Sequence, residues 1–162
     1  MMRGAIHFFL TLAFVQSPLL PDPAKAKNTP QYISGKATAS APTAAPGTTL
    51  TLFLDVTPNP GIHVYAPGNE EYLPIALSLR LPAGAVTAGE VVYPRSEKIT
   101  FEGESVPVYR KPFRLEQEIT VAATAKAGST LTVAGVVNYQ ACDDRICFKP
   151  TTLPVSWNVK IR

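Results

Sequence analysis

From Leu50 onward the chain alternates apolar and polar positions with a period of two. Leu50, Leu52, Leu54 and Val56 interleave with Thr51, Phe53 and Asp55. Ile75, Leu77, Leu79 and Leu81 interleave with Ala76, Ser78 and Arg80. Phe113, Leu115, Ile119 and Val121 alternate with Arg114, Glu116, Glu118 and Thr120, and Leu131, Val133 and Val137 with Thr132, Ala134 and Asn138. The clearest run is the last: Leu153, Val155, Trp157, Val159 and Ile161 against Thr152, Pro154, Ser156, Asn158 and Lys160. Successive side chains of a strand point to opposite faces, so each run predicts a half-buried β-strand. Pro58-Asn59-Pro60-Gly61, Ala66-Pro67-Gly68-Asn69, Pro82-Ala83-Gly84 and Lys126-Ala127-Gly128-Ser129 supply turns between them. Short strands with regular turns and no helical period predict an all-β sandwich of two sheets, immunoglobulin-like in topology. The cysteines are too close in sequence to bridge two sheets in the manner of an antibody domain.

The N-terminus has a different character. Met1-Met2-Arg3 is a short positive start, Ala5 to Val15 is apolar but too short to span a bilayer, and Ala24-Lys25-Ala26 fits a small-x-small cleavage site. Residues 1–26 therefore read as a signal peptide, the competing reading being a membrane anchor. Residues 27–48 are rich in Ala, Thr, Pro and Ser and read as a flexible arm, with a candidate edge strand at Gln31 to Ser40. Residues 49–162 are the expected sandwich domain. Removal of the leader leaves enough chain for one domain with a core, and no second long apolar run, so no stable membrane insertion is expected. The net charge is only +3, with scattered lysines and arginines, which argues against a nucleic-acid partner. Export permits a disulfide to persist.

The chemistry concentrates in Cys142-Asp143-Asp144-Arg145-Ile146-Cys147, which holds the only two cysteines of the 162 residues. A zinc site wants four ligands. Past the leader His63 is the single histidine, and the adjacent Asp143 and Asp144 are poorly placed to wrap one ion, so no metal is expected. A disulfide requires Cα atoms within about 7 Å, so the chain must fold back, which a hairpin with an Asp-Asp-Arg-Ile loop achieves. Closing about six residues contributes only about 2 kcal/mol in the chain-entropy model. Such a bridge in a tight hairpin is a candidate for reversible use. Spacing alone leaves a redox role and a structural role on equal footing. Arg145 favours a thiolate and Asp143 and Asp144 oppose one.

The flanking residues add a resemblance. Val137-Asn138-Tyr139-Gln140-Ala141-Cys142, an acidic turn, and Cys147-Phe148-Lys149-Pro150 resemble the N-terminal periplasmic domain of the DsbD family of thiol:disulfide interchange proteins. Pro60-Gly61-Ile62-His63-Val64-Tyr65 looks like that family's segment beside the active site. Val92-Tyr93-Pro94, Phe101-Glu102-Gly103 and Val108-Tyr109-Arg110 look like its cap-loop region and the next strand. The resemblance spans roughly residues 30 to 160. It implies an immunoglobulin-like sandwich with a redox-active Cys142–Cys147 disulfide on a hairpin, and electron exchange with thioredoxin-fold partners in the periplasm without a cofactor. It implies that Cys147 forms the mixed disulfide, that Cys142 resolves it, that Phe101 caps the pair, and that His63 and Tyr65 flank it. The best-known member has one more residue between its cysteines, and Glu102 stands where an aromatic often follows the cap phenylalanine. Full-length members continue into a membrane-embedded carrier and a thioredoxin-like domain. This sequence stops at Arg162, so the expectation is a stand-alone domain with an electron donor supplied by another chain.

Individual residues carry further expectations. Tyr139 and Trp157 are expected in the core, and Gln140 is expected to hydrogen-bond across the hairpin. Lys98 to Ser105 is expected as a polar loop, with Glu102 and Glu104 on its solvated face. The function class competing with exchange is a non-enzymatic immunoglobulin-like binding module with an inert disulfide.

Overall fold

The computed structural model of the protein describes residues 30–68, 71–101 and 103–162, with Phe101 described for its backbone only. The leader expected at residues 1–26 lies outside the described residues. Among those described there are twelve strands and no helix, hence no helix long and apolar enough to cross a membrane. In chain order the strands are β1 (Ile33–Ala39), β2 (Thr43–Ala44), β3 (Thr49–Pro58), β4 (His63–Tyr65), β5 (Ala76–Arg80) and β6 (Val86–Val92). They continue with β7 (Glu97–Phe101), β8 (Glu104–Tyr109), β9 (Phe113–Val121), β10 (Thr130–Tyr139), β11 (Ala141–Cys142) and β12 (Thr151–Ile161).

Two four-stranded sheets form the body, ordered β1-β3-β9-β6 and β2-β12-β10-β5. Their pairings are antiparallel except for the short parallel contact of β2 with β12. The alternation read in the sequence is the alternation of burial. Leu50, Leu52, Leu54 and Val56 of β3 share one core with Val133, Val137, Trp157 and Val159 of the facing sheet. Each such side chain contributes about 1.5–3 kcal/mol on leaving water. The Trp157 indole Nε1–H donates to the carbonyl of Phe53 at 3.0 Å, tying β12 to β3 across the sandwich. Tyr139 is fully buried, as expected.

Two positions interrupt the apolar pattern for local reasons. Gly135 sits inside β10 because the space of a side chain is taken. A Cβ there would lie 3.1 Å from Leu79, 3.2 Å from the Ser78 carbonyl and 3.2 Å from Trp157. Gln117 points inward between Leu115 and Ile119 and donates its amide to Gly89 O at 2.8 Å. Gly89 lies where the register of β6 slips between Ala88 and Val91; the irregularity releases a carbonyl from the ladder, and Gln117 satisfies it.

A third sheet, ordered β11-β4-β8-β7, goes beyond the two sheets expected. Both faces are covered at β4, at β11 and from Val106 to Tyr109 of β8. Val64, Tyr109 and Ala141 pack into the main core, while Tyr65, Val106, Val108 and Cys142 form a second cluster with Tyr72 and Ile99 against it. Residues 63–65 and 106–109 are therefore buried consecutively. The expected polar loop from Lys98 to Ser105 is instead a β-hairpin, paired from Glu97↔Val108 to Phe101↔Glu104. Its edge strand leaves Glu97, Lys98 and Thr100 exposed and half-buries Ile99, a pattern too polar to announce a strand. Glu104 accordingly begins β8 rather than lying in a loop; Glu102 is outside the described residues.

Candidate active site around Cys142 and Cys147

The cysteine hairpin is closed by its own backbone. Phe148 N–H donates to Ala141 O at 2.8 Å, and Asp143 N–H donates to Ile146 O at 3.0 Å. Between these two bonds Cys142 and Cys147 face each other as a bridge pair, with Cα atoms 4.0 Å apart, joined by a disulfide. A non-hydrogen-bonded antiparallel pair brings its side chains closest, which is why this rung suits a disulfide. The turn is held by its acid: Asp143 Oδ1 accepts the N–H groups of Arg145 at 2.7 Å and Ile146 at 2.8 Å. These two backbone donors, the Ile146 one foremost, hold the Asp143 carboxyl below its ordinary range, and the charges of Arg145 and His63 add to them. Gln140 Nε2 donates to Phe148 O at 3.1 Å, the cross-hairpin bond expected of it.

The two sulfurs live in different surroundings. Cys142 belongs to β11, pairs with His63 of β4 and is 1 % exposed. Cys147 follows the turn and is exposed, beside the exposed Ile146.

Strand β4 brings His63 and Tyr65 to the same face as Cys142, because residues two apart in a strand share a face. The Tyr65 hydroxyl lies 3.3 Å from Cys147 Sγ and 3.4 Å from Cys142 Sγ. Its ring stacks on Tyr72, with centroids 4.5 Å apart, and meets His63 edge-on at 6.0 Å. Burial is the main cause that pulls the His63 pKa below its ordinary value; the charge of Arg110 adds to this, and Asp144 and Asp143 oppose it. An imidazole so placed favours its neutral form. Among the described residues no three His, Cys, Asp or Glu side chains gather as a metal site.

Residues 29–156 match the family described as thiol:disulfide interchange protein DsbD, N-terminal. The chain belongs to this family. The N-terminal periplasmic domain of ScsB from Proteus mirabilis shares its fold, with a TM-score of 0.54 at 15 % identity. That match covers 87 % of this chain and 49 % of the ScsB domain, so the chain spans about half the length of that relative. The reduced DsbD N-terminal domain of Neisseria meningitidis aligns over 88 % of this chain and 91 % of its own, at 18 % identity and a TM-score of 0.46. No curated protein matches the sequence. The sandwich is thus the immunoglobulin-like one of the DsbD N-terminal domains.

Of the five residues singled out in the sequence, four converge: Cys142, Cys147, His63 and Tyr65. Phe101 lies on the last rung of the β7–β8 hairpin, opposite Glu104 and two residues past Ile99. Four contributors were not legible. Tyr72 backs Tyr65. Val106 and Val108 form the apolar floor with Cys142. Tyr32 stacks on Phe148 with ring centroids 4.2 Å apart and steadies the hairpin base. Only the buried run Val106-Pro107-Val108-Tyr109, once read as an interior strand, gives a signal for any of them.

Proposed function

We propose that this member of the DsbD N-terminal family is a periplasmic electron carrier working by thiol–disulfide exchange at Cys142 and Cys147. The supporting observation is the unequal exposure of the two sulfurs: Cys147 is exposed and Cys142 is 1 % exposed. A partner's disulfide reaches the first and not the second. In the reduced pair the Cys147 thiolate attacks one sulfur of the partner's disulfide, forming a mixed disulfide and releasing the other partner sulfur as a thiolate that takes a proton. Cys142 then gives up its proton and attacks Cys147 Sγ as a thiolate, the mixed disulfide breaks, and the second partner sulfur leaves as a thiolate that takes up a proton. Two electrons pass to the partner and Cys142–Cys147 is left oxidised.

The partners in this reading are thioredoxin-fold redox proteins, with a membrane-embedded donor restoring the dithiol. Residues 1–26 are a leader removed on export, residues 27–48 an arm contributing an edge strand, and residues 49–162 the functional sandwich. Phe101 acts as a cap over the pair until a partner docks, and His63 flanks it. The periplasmic placement draws support from the ScsB domain, which is described as periplasmic.

The test is capture. Cys142→Ala protein is expected to trap a covalent complex with an exported thioredoxin-fold protein through Cys147, and Cys147→Ala protein to trap none. A redox titration provides the opposing outcome: a potential far below about −300 mV marks an inert staple and ends this reading.

A further inference from the structure

We infer that the Tyr65 hydroxyl takes part in the exchange step, giving a hydrogen bond to whichever sulfur of the pair carries negative charge. The inference rests on the exchange reading above and adds a third reacting-site residue to it. The two sulfurs are joined in a disulfide, so neither carries a proton, and in the contacts at 3.3 Å and 3.4 Å the phenol O–H must be the donor. One hydroxyl equidistant from two sulfurs can serve either without moving its ring.

The ring is held for this task. Tyr65 is 2 % exposed and lies in β4, which is paired with β8 on one side and β11 on the other. Tyr72 stacks on one face of the ring, and His63 meets it edge-on. Among the described residues the same cluster holds Val106, Val108 and Ile99, whose side chains carry no donor.

The chemistry asks for such a donor at one sulfur above all. When a reductant's thiolate attacks exposed Cys147 Sγ, a new disulfide forms between them and the Cys142–Cys147 bond breaks. The electron pair leaves with Cys142 Sγ as a thiolate. That sulfur is nearly inaccessible to water, and an unpartnered buried charge is costly. A charge-assisted bond from a fixed O–H offsets that cost where it arises. In the opposite direction, the same O–H lies against Cys147 Sγ as that thiolate opens its attack.

Tyr65→Phe separates the hydroxyl from the ring. Two readouts use the whole chain and no protein partner: the rate at which dithiothreitol reduces the disulfide, and the titration of the Cys142 thiol in a Cys147→Ala background, followed by NMR of its Cβ, which needs no reagent to reach the buried sulfur. The expected result is reduction slowed about tenfold, the scale of one lost bond to a charged group, with the Cys142 titration profile displaced to higher pH and the thermal midpoint near that of the parent. Incorporation of 3-fluorotyrosine at position 65 keeps the ring in place and makes a stronger donor, so the profile is expected to move to lower pH, which keeps the test decisive if Tyr65→Phe folds poorly. Unchanged rate and unchanged profile in these variants, with the parent exchanging readily, overturn the role of Tyr65 alone. A parent disulfide that resists millimolar dithiothreitol removes the exchange reading itself and this role with it.

Discussion

Tyr32, just ahead of the first strand, stacks on Phe148, the residue after Cys147, with ring centroids 4.2 Å apart and planes inclined by 17°. The Tyr32 backbone is bound at the same place, its N–H donating to the buried Tyr139 hydroxyl at 3.2 Å. The start of the described chain is in this way fastened to the arm of the hairpin that carries the exposed sulfur. Phe148 has a second anchor, its N–H bonded to Ala141 O.

Tyr32→Ala removes one ring of the pair, which is worth about 0.5–1.5 kcal/mol beyond the area it buries. The expected effect is local. Amide exchange of Phe148 should accelerate more than that of Val133 or Val159 in the sandwich core, as seen by hydrogen–deuterium exchange. Equal acceleration at all three sites would show that the stack braces the whole domain and not the hairpin.

His63 gives the domain an acid sensitivity. Its folded pKa lies below the ordinary 6.5, chiefly through burial and then through Arg110. The unfolded chain therefore binds the proton more readily, and stability rises with pH across the window between the two values. The contribution is whole above the unfolded value and is lost as pH falls through the folded one. Arg110→Ala should move the His63 titration, followed by NMR of the ring protons, upward toward 6.5. His63→Gln should flatten the fall in thermal midpoint between neutral and mildly acid pH.

Asp143 behaves with the opposite charge type. Its carboxyl titrates below the ordinary 3.8 because Ile146 and Arg145 donate backbone N–H groups to it. The turn is held above the unfolded value and loosens as pH falls through the folded one. The amide resonances of Arg145 and Ile146 should titrate together in that acid range. Asp143→Ala should abolish that titration and let the disulfide be reduced faster by a small dithiol, since the turn no longer has its Asp143 anchor.

Gly135→Ala tests the packing that shapes the sandwich. The new methyl meets Leu79, the Ser78 carbonyl and the Trp157 ring at 3.1–3.2 Å. Overpacking of this kind costs about 1–3 kcal/mol, measurable as a lower midpoint in urea. A neutral outcome would mean that β5 shifts freely at the sheet edge.

The sandwich was legible in the sequence because its strands each have one wet and one dry face. β3, β9, β10 and β12 therefore announce themselves through Leu50 to Val56 and their counterparts. Sheet β11-β4-β8-β7 obeys the same geometry but is dry on both sides at its centre, so His63-Val64-Tyr65 and Val106 to Tyr109 show no alternation. The bulge of β6 at Gly89 breaks the period in another way, and β7 is too polar at its edge. At the site, a pair of cysteines five residues apart marks itself, and the neighbouring motif brought in His63 and Tyr65. Their distances to the sulfurs, the backing by Tyr72 and the stack of Tyr32 on Phe148 join residues far apart along the chain, and nothing in local pattern encodes such meetings.

Trp157 is the single tryptophan of the chain, 3 % exposed, and bonded to Phe53 O across the two main sheets. It belongs to the sandwich core and not to the cluster that holds Cys142. The protein thus carries a native fluorophore whose emission follows the body of the fold. Opening of the disulfide is recorded there only to the extent that the body itself responds, so the light from one indole separates a change of redox state from a loss of structure.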